Sequence, residues 1–233
     1  MEHEFTNIIK SILATHFSEQ SETIFQMSDL IKYLNFKTKS SNKDSKARGS
    51  FANLYVIYTL VEDYLNRKFD VEGNYSKYEG AKFTDLFIRQ RELPFGAKLQ
   101  NHAFNNRLTS EFKKICPTCE YELIVRDINL GRYWINENSL IIYINDKQYN
   151  IAKPVIEIIQ RYIKKKQEAF ISFLATCEHI KSMSSSSLKE SFDFIFSLLE
   201  PNVDARIFEI VSFSILKYFY KDTILFYGFN KKE

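Results

Sequence analysis

The scarcity of chain-breaking residues is the feature that most constrains this sequence. Only six glycines and four prolines interrupt 233 residues, so long regular elements are expected between them. A chain of this length fits one large domain or two small ones, and it can bury a core without disulfide bonds. Hydrophobic residues make up 45% of the chain and charged residues 26%, which is the balance of a globular protein rather than of a disordered one.

Three observations exclude other classes of protein. No apolar run approaches the roughly 18–20 residues of a membrane-spanning helix, and the apolar stretch at residues 51–61 is broken by Asn53 and Thr59. The start at residues 1–4 is acidic, whereas a secretory signal begins with basic residues. Three cysteines cannot all pair with one another. The sequence therefore predicts a cytoplasmic protein with no membrane partner.

The spacing of the apolar residues predicts mostly helices. Helical periodicity covers residues 1–35 and 50–66, and it returns in a long segment that begins at Pro154. Between residues 121 and 151 the pattern changes to the alternation of short strands. The sequence therefore predicts an α+β fold, predominantly helical, with a small antiparallel β-meander around residues 121–151.

The net charge of +3 conceals two basic segments. Residues 37–48 carry five basic side chains and one acidic side chain, and residues 82–114 carry seven and three, so each segment has a net charge of +4. The rest of the chain therefore carries a charge of −5. Basic segments of this kind are typical of contact with nucleic acid. A solvated polar loop is the alternative for residues 37–48.

The second basic segment contains a dense run of amide and cationic side chains. A helix expected over about residues 97–115 would bury Phe104 and Leu108 and expose the polar residues between them. Asn and Gln match the edge of adenine, Arg matches guanine or phosphate, and Lys neutralises phosphate. A solvated polar face is the alternative. The candidate DNA-binding residues are Arg89, Arg91, Lys98, Asn101, His102, Asn105 and Arg107, with Lys43, Lys46 and Arg48 from the first basic segment.

The cysteines form a candidate zinc site. Cys116 and Cys119 lie in a Cys-Pro-Thr-Cys turn, and Cys177 and His179 form a second pair. Three thiolates and one imidazole are a ligand set that tetrahedral zinc accepts. The alternative is that these are buried thiols, because Cys177 also fits the apolar face of the long helix.

Three blocks of sequence resemble the N-terminal, DNA-recognition part of type II restriction endonucleases of the PD-(D/E)xK kind. The blocks are residues 47–55 (ARGSFANLY), 80–87 (GAKFTDLF) and 93–102 (LPFGAKLQNH). The resemblance implies that the chain binds double-stranded DNA as part of a restriction-modification system.

The C-terminal segment resembles the first elements of the nuclease core of that family. A helix expected at about residues 204–220 is followed by an apolar strand at residues 223–229. In the family, a Glu on this helix lies beside the metal site, and Glu209 is the matching position, as an accessory catalytic residue. An ion pair with Arg206 is the alternative role for this carboxylate.

The catalytic motif itself departs from the family pattern. Such nucleases need an Asp followed by Glu/Asp-x-Lys on adjacent strands to hold Mg²⁺ and activate water. The only matching triplets are Asp44-Ser-Lys46, in a polar loop, and Glu111-Phe-Lys113, inside an expected helix. The resemblance therefore implies a chain that recognises DNA without a complete catalytic site, and a role for Mg²⁺ only where a complete core is present.

The sequence predicts that the chain is divided into three regions. Residues 1–48 are expected to form a helical head with a basic loop, residues 49–200 a helical DNA-recognition domain with the β-meander, and residues 201–233 the start of a truncated nuclease-like core. The expected partners are double-stranded DNA and either a second copy of the chain or a missing C-terminal nuclease part. The alternatives are a complete Mg²⁺-dependent endonuclease with a different set of acids and a helical protein-interaction module.

Overall fold

The computed structural model divides the chain into two compact units. The larger unit contains Met1–Ser41 and Lys46–Gln167, and the smaller unit contains Asn42–Ser45 and Glu168–Glu233. The predicted boundaries after residues 48 and 200 stay predictions. The structure describes residues 4–40, 47–182, 188–199, 211–216 and 220.

Helices make up most of the described residues, which confirms the predicted predominantly helical α+β class. None of the helices in the described ranges combines the length and the apolar character that crossing a membrane requires. Residues 211–216 are also helical. The longer helices are α1 (Glu4–Phe17), α2 (Ser21–Met27), α3 (Asp29–Ser40), α4 (Ala47–Asn66), α5 (Phe69–Glu72), α6 (Phe83–Glu92), α7 (Arg107–Ile115), α8 (Ala152–Ser182) and α9 (Leu188–Leu199).

The strands form two small antiparallel sheets rather than one continuous meander. The strands are β1 (Ala81–Lys82), β2 (Ile124–Asp127), β3 (Arg132–Ile135), β4 (Ile141–Ile144) and β5 (Lys147–Asn150). The first sheet has the order β1-β3-β2, and the second is the β4–β5 hairpin. A short 3₁₀ helix at Glu137–Ser139 separates them. Strand β1 was not predicted, because its two residues leave no periodic pattern.

Helix α4 runs through the core of the larger unit. Every residue from 50 to 61 is buried, including Asn53 and Thr59. The helical periodicity of residues 50–66 indicates burial of one face only, whereas neighbours cover this part of the helix on all sides. Near its first turns, Phe51 packs against Phe95, with ring centroids 5.3 Å apart.

Local sequence explains where two helices begin. At the start of α3, the Ser28 hydroxyl accepts a hydrogen bond from the Ile31 amide at 3.2 Å, so Ser28 caps this helix. At the start of α8, the Asn150 side chain accepts a hydrogen bond from the Ala152 amide at 2.9 Å. Pro154 lies in the first turn of α8, where the missing N–H leaves no bond unmade.

The expected helix over about residues 97–115 is wrong in its first half. A turn and a 3₁₀ helix at Asn101–Ala103 occupy the first part, and α7 begins at Arg107. The Asn side chains in this stretch favour turns over helix interiors. Burial of Leu99 and Phe104 holds the irregular backbone in place, since both side chains reach the core. Only the second half of the stretch keeps the helical spacing that the sequence predicts.

Candidate nucleic-acid interface

Residues 97–107 form a surface loop that is attached to the core by its buried side chains. Leu99, Ala103 and Phe104 are buried. The candidate DNA-binding side chains alternate with these anchors and point outwards, because the turn geometry separates buried from exposed positions. The exposed candidates in this loop are Lys98, Asn101, His102, Asn105 and Arg107.

The anchors tie this loop to the rest of the larger unit. The Tyr55 hydroxyl on α4 donates a hydrogen bond to the Pro94 carbonyl, just before the loop. The Phe104 ring meets the Phe83 ring edge-on, with centroids 5.4 Å apart, and the Tyr133 ring at 6.1 Å. Aromatic contacts of this kind add to the energy of burial. The loop is therefore presented on a packed base of α4, α6 and β3.

Arg126 on β2 joins the loop, although the sequence did not suggest it. One of its guanidinium nitrogens donates to the Asn105 carbonyl and, at 3.1 Å, to the Asn106 side-chain oxygen. These partners are about 20 residues away along the chain, and no local pattern links a strand arginine to them. The fold thus adds a cation beside the amide side chains.

The segment that contains this loop has more basic than acidic side chains, although one of the cations, Lys113, pairs with Glu122 at 3.6 Å. Between residues 93 and 118 the sequence holds four Lys and Arg side chains and a single carboxylate, Glu111. The Lys37 ammonium forms an ion pair with Glu111, so that carboxylate is neutralised from inside the protein. The four cations, Lys98, Arg107, Lys113 and Lys114, are all exposed.

Glu111 is the centre of a buried polar cluster formed by Tyr33, Lys37, Asn53 and Glu111. The Tyr33 hydroxyl donates to one carboxylate oxygen of Glu111 at 3.2 Å, and the Asn53 amide donates to the other at 3.1 Å. Asn53 also donates to the Tyr33 hydroxyl at 2.9 Å. Burial and the adjacent Glu111 raise the pKa of the Tyr33 hydroxyl well above its ordinary value. This Glu111 cluster joins α3, α4 and α7.

Arg89 and Arg91 are engaged in contacts within the protein. The Arg89 guanidinium forms two hydrogen bonds with the Glu62 carboxylate, at 2.7 and 2.8 Å. The Glu62 carboxylate, through hydrogen bonding and its charge, raises the pKa of Arg89 above its ordinary value. The Arg91 guanidinium donates to the Ala97 carbonyl at 2.9 and 2.7 Å, at the start of the loop. Both arginines hold α6 and the loop in place, and their predicted contact with DNA stays a prediction.

For six of the predicted site residues, the structure does not describe the side-chain contacts. Lys43, Lys46 and Glu209 lie outside the described residues. Arg48 lies in α4, and Cys177 and His179 lie in α8, but their side chains are outside the description. The roles predicted for these six residues stay predictions.

The two described cysteines contact main-chain carbonyls. Cys116 is buried, and its thiol donates to the Asp29 carbonyl at 3.4 Å. The Cys119 thiol donates to the Tyr121 carbonyl at 3.5 Å. Within the described part of the chain, no three His, Cys, Asp or Glu side chains are grouped closely enough to hold a metal ion. Because half of the proposed ligand set is not described, zinc binding by Cys116, Cys119, Cys177 and His179 stays a prediction.

Alkylation of Cys116 tests how this thiol is held. Burial raises the pKa of the Cys116 thiol to about 11, so the reactive thiolate is scarce at about pH 8. We expect iodoacetamide to label Cys116 far more slowly in the folded protein than in urea, as measured by mass spectrometry of the peptide. Protection that survives a chelator supports a buried thiol, whereas protection that a chelator removes supports zinc. Equal labelling rates with and without urea would contradict the burial of Cys116.

Comparison with known proteins gives no match from which a function could be inferred. No protein-family model, no curated protein and no solved structure matches the chain. The resemblance to restriction endonucleases therefore stays a prediction, and the exposed loop at residues 97–107 is the candidate site that the geometry supports best.

Proposed function

We propose that this protein is a double-stranded DNA recognition module of the kind found in type II restriction endonucleases. The observation that carries the proposal is the loop at residues 97–107. It exposes cations and amides on a packed base, and the single carboxylate within residues 93–118, Glu111, is already paired with Lys37. A surface of this composition attracts a polyanion and repels few of its charges.

Each type of side chain on this loop has a role that its chemistry supports. Lys98, Arg107 and Arg126 neutralise backbone phosphates, which supplies affinity. Asn101 and Asn105 carry paired donors and acceptors that match the edge of adenine, which supplies sequence preference. The packed base reduces the conformational entropy that the loop loses on binding. In a restriction-modification system, cleavage would come from acids and Mg²⁺ supplied by a nuclease core.

Removal of two loop cations tests the proposal. We expect the Lys98→Ala/Arg107→Ala variant to bind a fluorescent random duplex at least about tenfold more weakly than the wild type at low salt. The slope of log K against log salt is expected to fall by about 0.9 for each lost phosphate contact. Fluorescence anisotropy at several salt concentrations measures both quantities.

The control removes a single cation from elsewhere on the same unit. Lys77 is exposed in a 3₁₀ helix beyond the C-terminal end of α4, so Lys77→Ala should leave the affinity and the salt slope unchanged. An equal loss in the control would assign binding to overall charge and contradict the loop as the interface. No binding by the wild type at micromolar protein would overturn the proposed function.

A further inference from the structure

The larger unit has a second charged surface, an open groove of about 590 Å³. Its walls come from the C-terminal half of α4, from β1, from α6 and from the first residue of β3. Volumes of this size, within about 300–1,000 Å³, are typical of small-ligand sites. The charged residues that line the groove are Glu62, Asp63, Arg67, Lys82, Asp85, Arg89 and Arg132.

Two of the arginines in the groove are neutralised by carboxylates beside them. Arg89 holds both oxygens of Glu62, and Arg67 donates to both oxygens of Asp63 at 3.1 and 3.3 Å. The Tyr78 hydroxyl also donates to Asp63. These two ion pairs line the groove and contribute little net charge to it.

The other two cations face each other across a pair of strands. Lys82 on β1 and Arg132 on β3 are direct partners in the antiparallel register, so their side chains leave the same face of the sheet. Like charges in this position destabilise a sheet. Neither side chain forms an ion pair within the ranges that the structure describes.

Two carboxylates lie near this pair of cations, Asp85 in the groove and Asp127 on β2, and neither forms an ion pair with Lys82 or Arg132 among the described residues. One guanidinium nitrogen of Arg132 donates to the Gly80 carbonyl at 3.0 Å, and its other donors have no acceptor among the described residues. Asp127 is the partner of Arg132 on β2, and one of its oxygens accepts the Leu130 amide at 3.0 Å. Asp85 is the remaining carboxylate of the groove, and it is exposed.

We propose that this groove binds a phosphate group between Lys82 and Arg132. Two oxygens of a phosphate can accept hydrogen bonds from one arginine guanidinium, and a lysine ammonium adds a localised positive charge. A bound dianion also reduces the electrostatic repulsion between the two cations, so binding should stabilise this part of the sheet. The proposal does not depend on DNA binding by the loop at residues 97–107, which shares no side chain with the groove lining.

The experiment titrates the full chain with inorganic phosphate and with pyrophosphate by isothermal calorimetry at low ionic strength. We expect the Lys82→Gln/Arg132→Gln variant to lose about tenfold or more in affinity for pyrophosphate. The control Lys77→Gln removes one positive charge outside the groove, as Lys82→Gln does inside it, and should bind as the wild type does. Far-UV circular dichroism verifies folding. Lys82 is exposed, so Lys82→Gln alone tests the site if the double variant does not fold.

A second arm identifies the source of the phosphate group. If the same variants bind a DNA duplex with unchanged affinity and salt slope while pyrophosphate binding falls, the ligand is a free phosphorylated compound. If the salt slope falls as well, the groove holds the DNA backbone. Both results support the proposal. Absence of heat with wild-type protein at millimolar pyrophosphate, or equal losses in Lys77→Gln, would overturn it. Pyrophosphate binding without duplex binding would reject the proposed function alone.

Discussion

Replacement of Glu111 by alanine is expected to lower the free energy of unfolding by about 3 kcal/mol. The Lys37, Tyr33 and Asn53 side chains all donate to this carboxylate. Lys37 and Tyr33 are buried, with side-chain exposure of 8% for Lys37. Removal of this shared acceptor leaves desolvated donors without it, which costs far more than the loss of a surface ion pair.

Urea unfolding followed by circular dichroism measures this effect. The matched control is Glu122→Ala, because Glu122 also pairs with a lysine, Lys113, at 3.6 Å, but both side chains are more than half exposed. That variant is expected to lose only about 0–1 kcal/mol. Glu111→Gln, which keeps an acceptor and removes the charge, should fall between the two. Equal stability of Glu111→Ala and Glu122→Ala would show that the Glu111 cluster contributes no special stability.

Replacement of Gly96 by alanine is expected to disturb both stability and DNA binding. A Cβ atom at this position would lie 2.2 Å from the Gln90 carbonyl oxygen and 2.7 Å from that of Leu93. Both atoms belong to the backbone, so the turn has to move to admit the methyl group. We expect a loss of about 2–3 kcal/mol in unfolding free energy. Because Gly96 directly precedes the loop at residues 97–107, the displacement should also weaken duplex binding.

Gly73→Ala is the control that separates steric conflict from backbone strain. Gly73 has a φ of +71° and a ψ of −151°, a region that essentially only glycine adopts, and no atom lies within 4 Å of a new Cβ, so its cost is backbone strain alone, about 1–3 kcal/mol. It should leave DNA binding unchanged. Chemical denaturation and fluorescence anisotropy of the two variants provide the comparison. Wild-type stability and affinity in Gly96→Ala would contradict the close packing of this turn.

The sequence predicted the class of fold because its signals are local. Apolar spacing and the scarcity of glycine and proline are sufficient to predict long helices and short strands in the right regions. The cap that Ser28 forms on α3 is equally local, because a cap depends on neighbours three residues away. Phe104 and Leu108 were correctly placed towards the core.

The same reasoning failed where contacts between distant residues decide the structure. Residues 97–106 have a helical apolar pattern, yet burial of Leu99 and Phe104 in a turn stabilises an irregular path. Strand β1 is two residues long and exists because it pairs with β3, about 50 residues away. Glu111-Phe-Lys113 was correctly placed in a helix, but nothing in its local sequence indicates that Glu111 pairs with Lys37.

By itself, the sequence determined that this chain forms mostly helices with a few short strands and that it carries two basic segments. Only the tertiary structure decided which cations are available. It pairs Arg89 with Glu62 and brings Arg126 to the loop at residues 97–107. It also places Lys82 opposite Arg132. The reason is that helix and strand formation depend on residues a few positions apart, whereas the field around a charge depends on every group that folding brings near it.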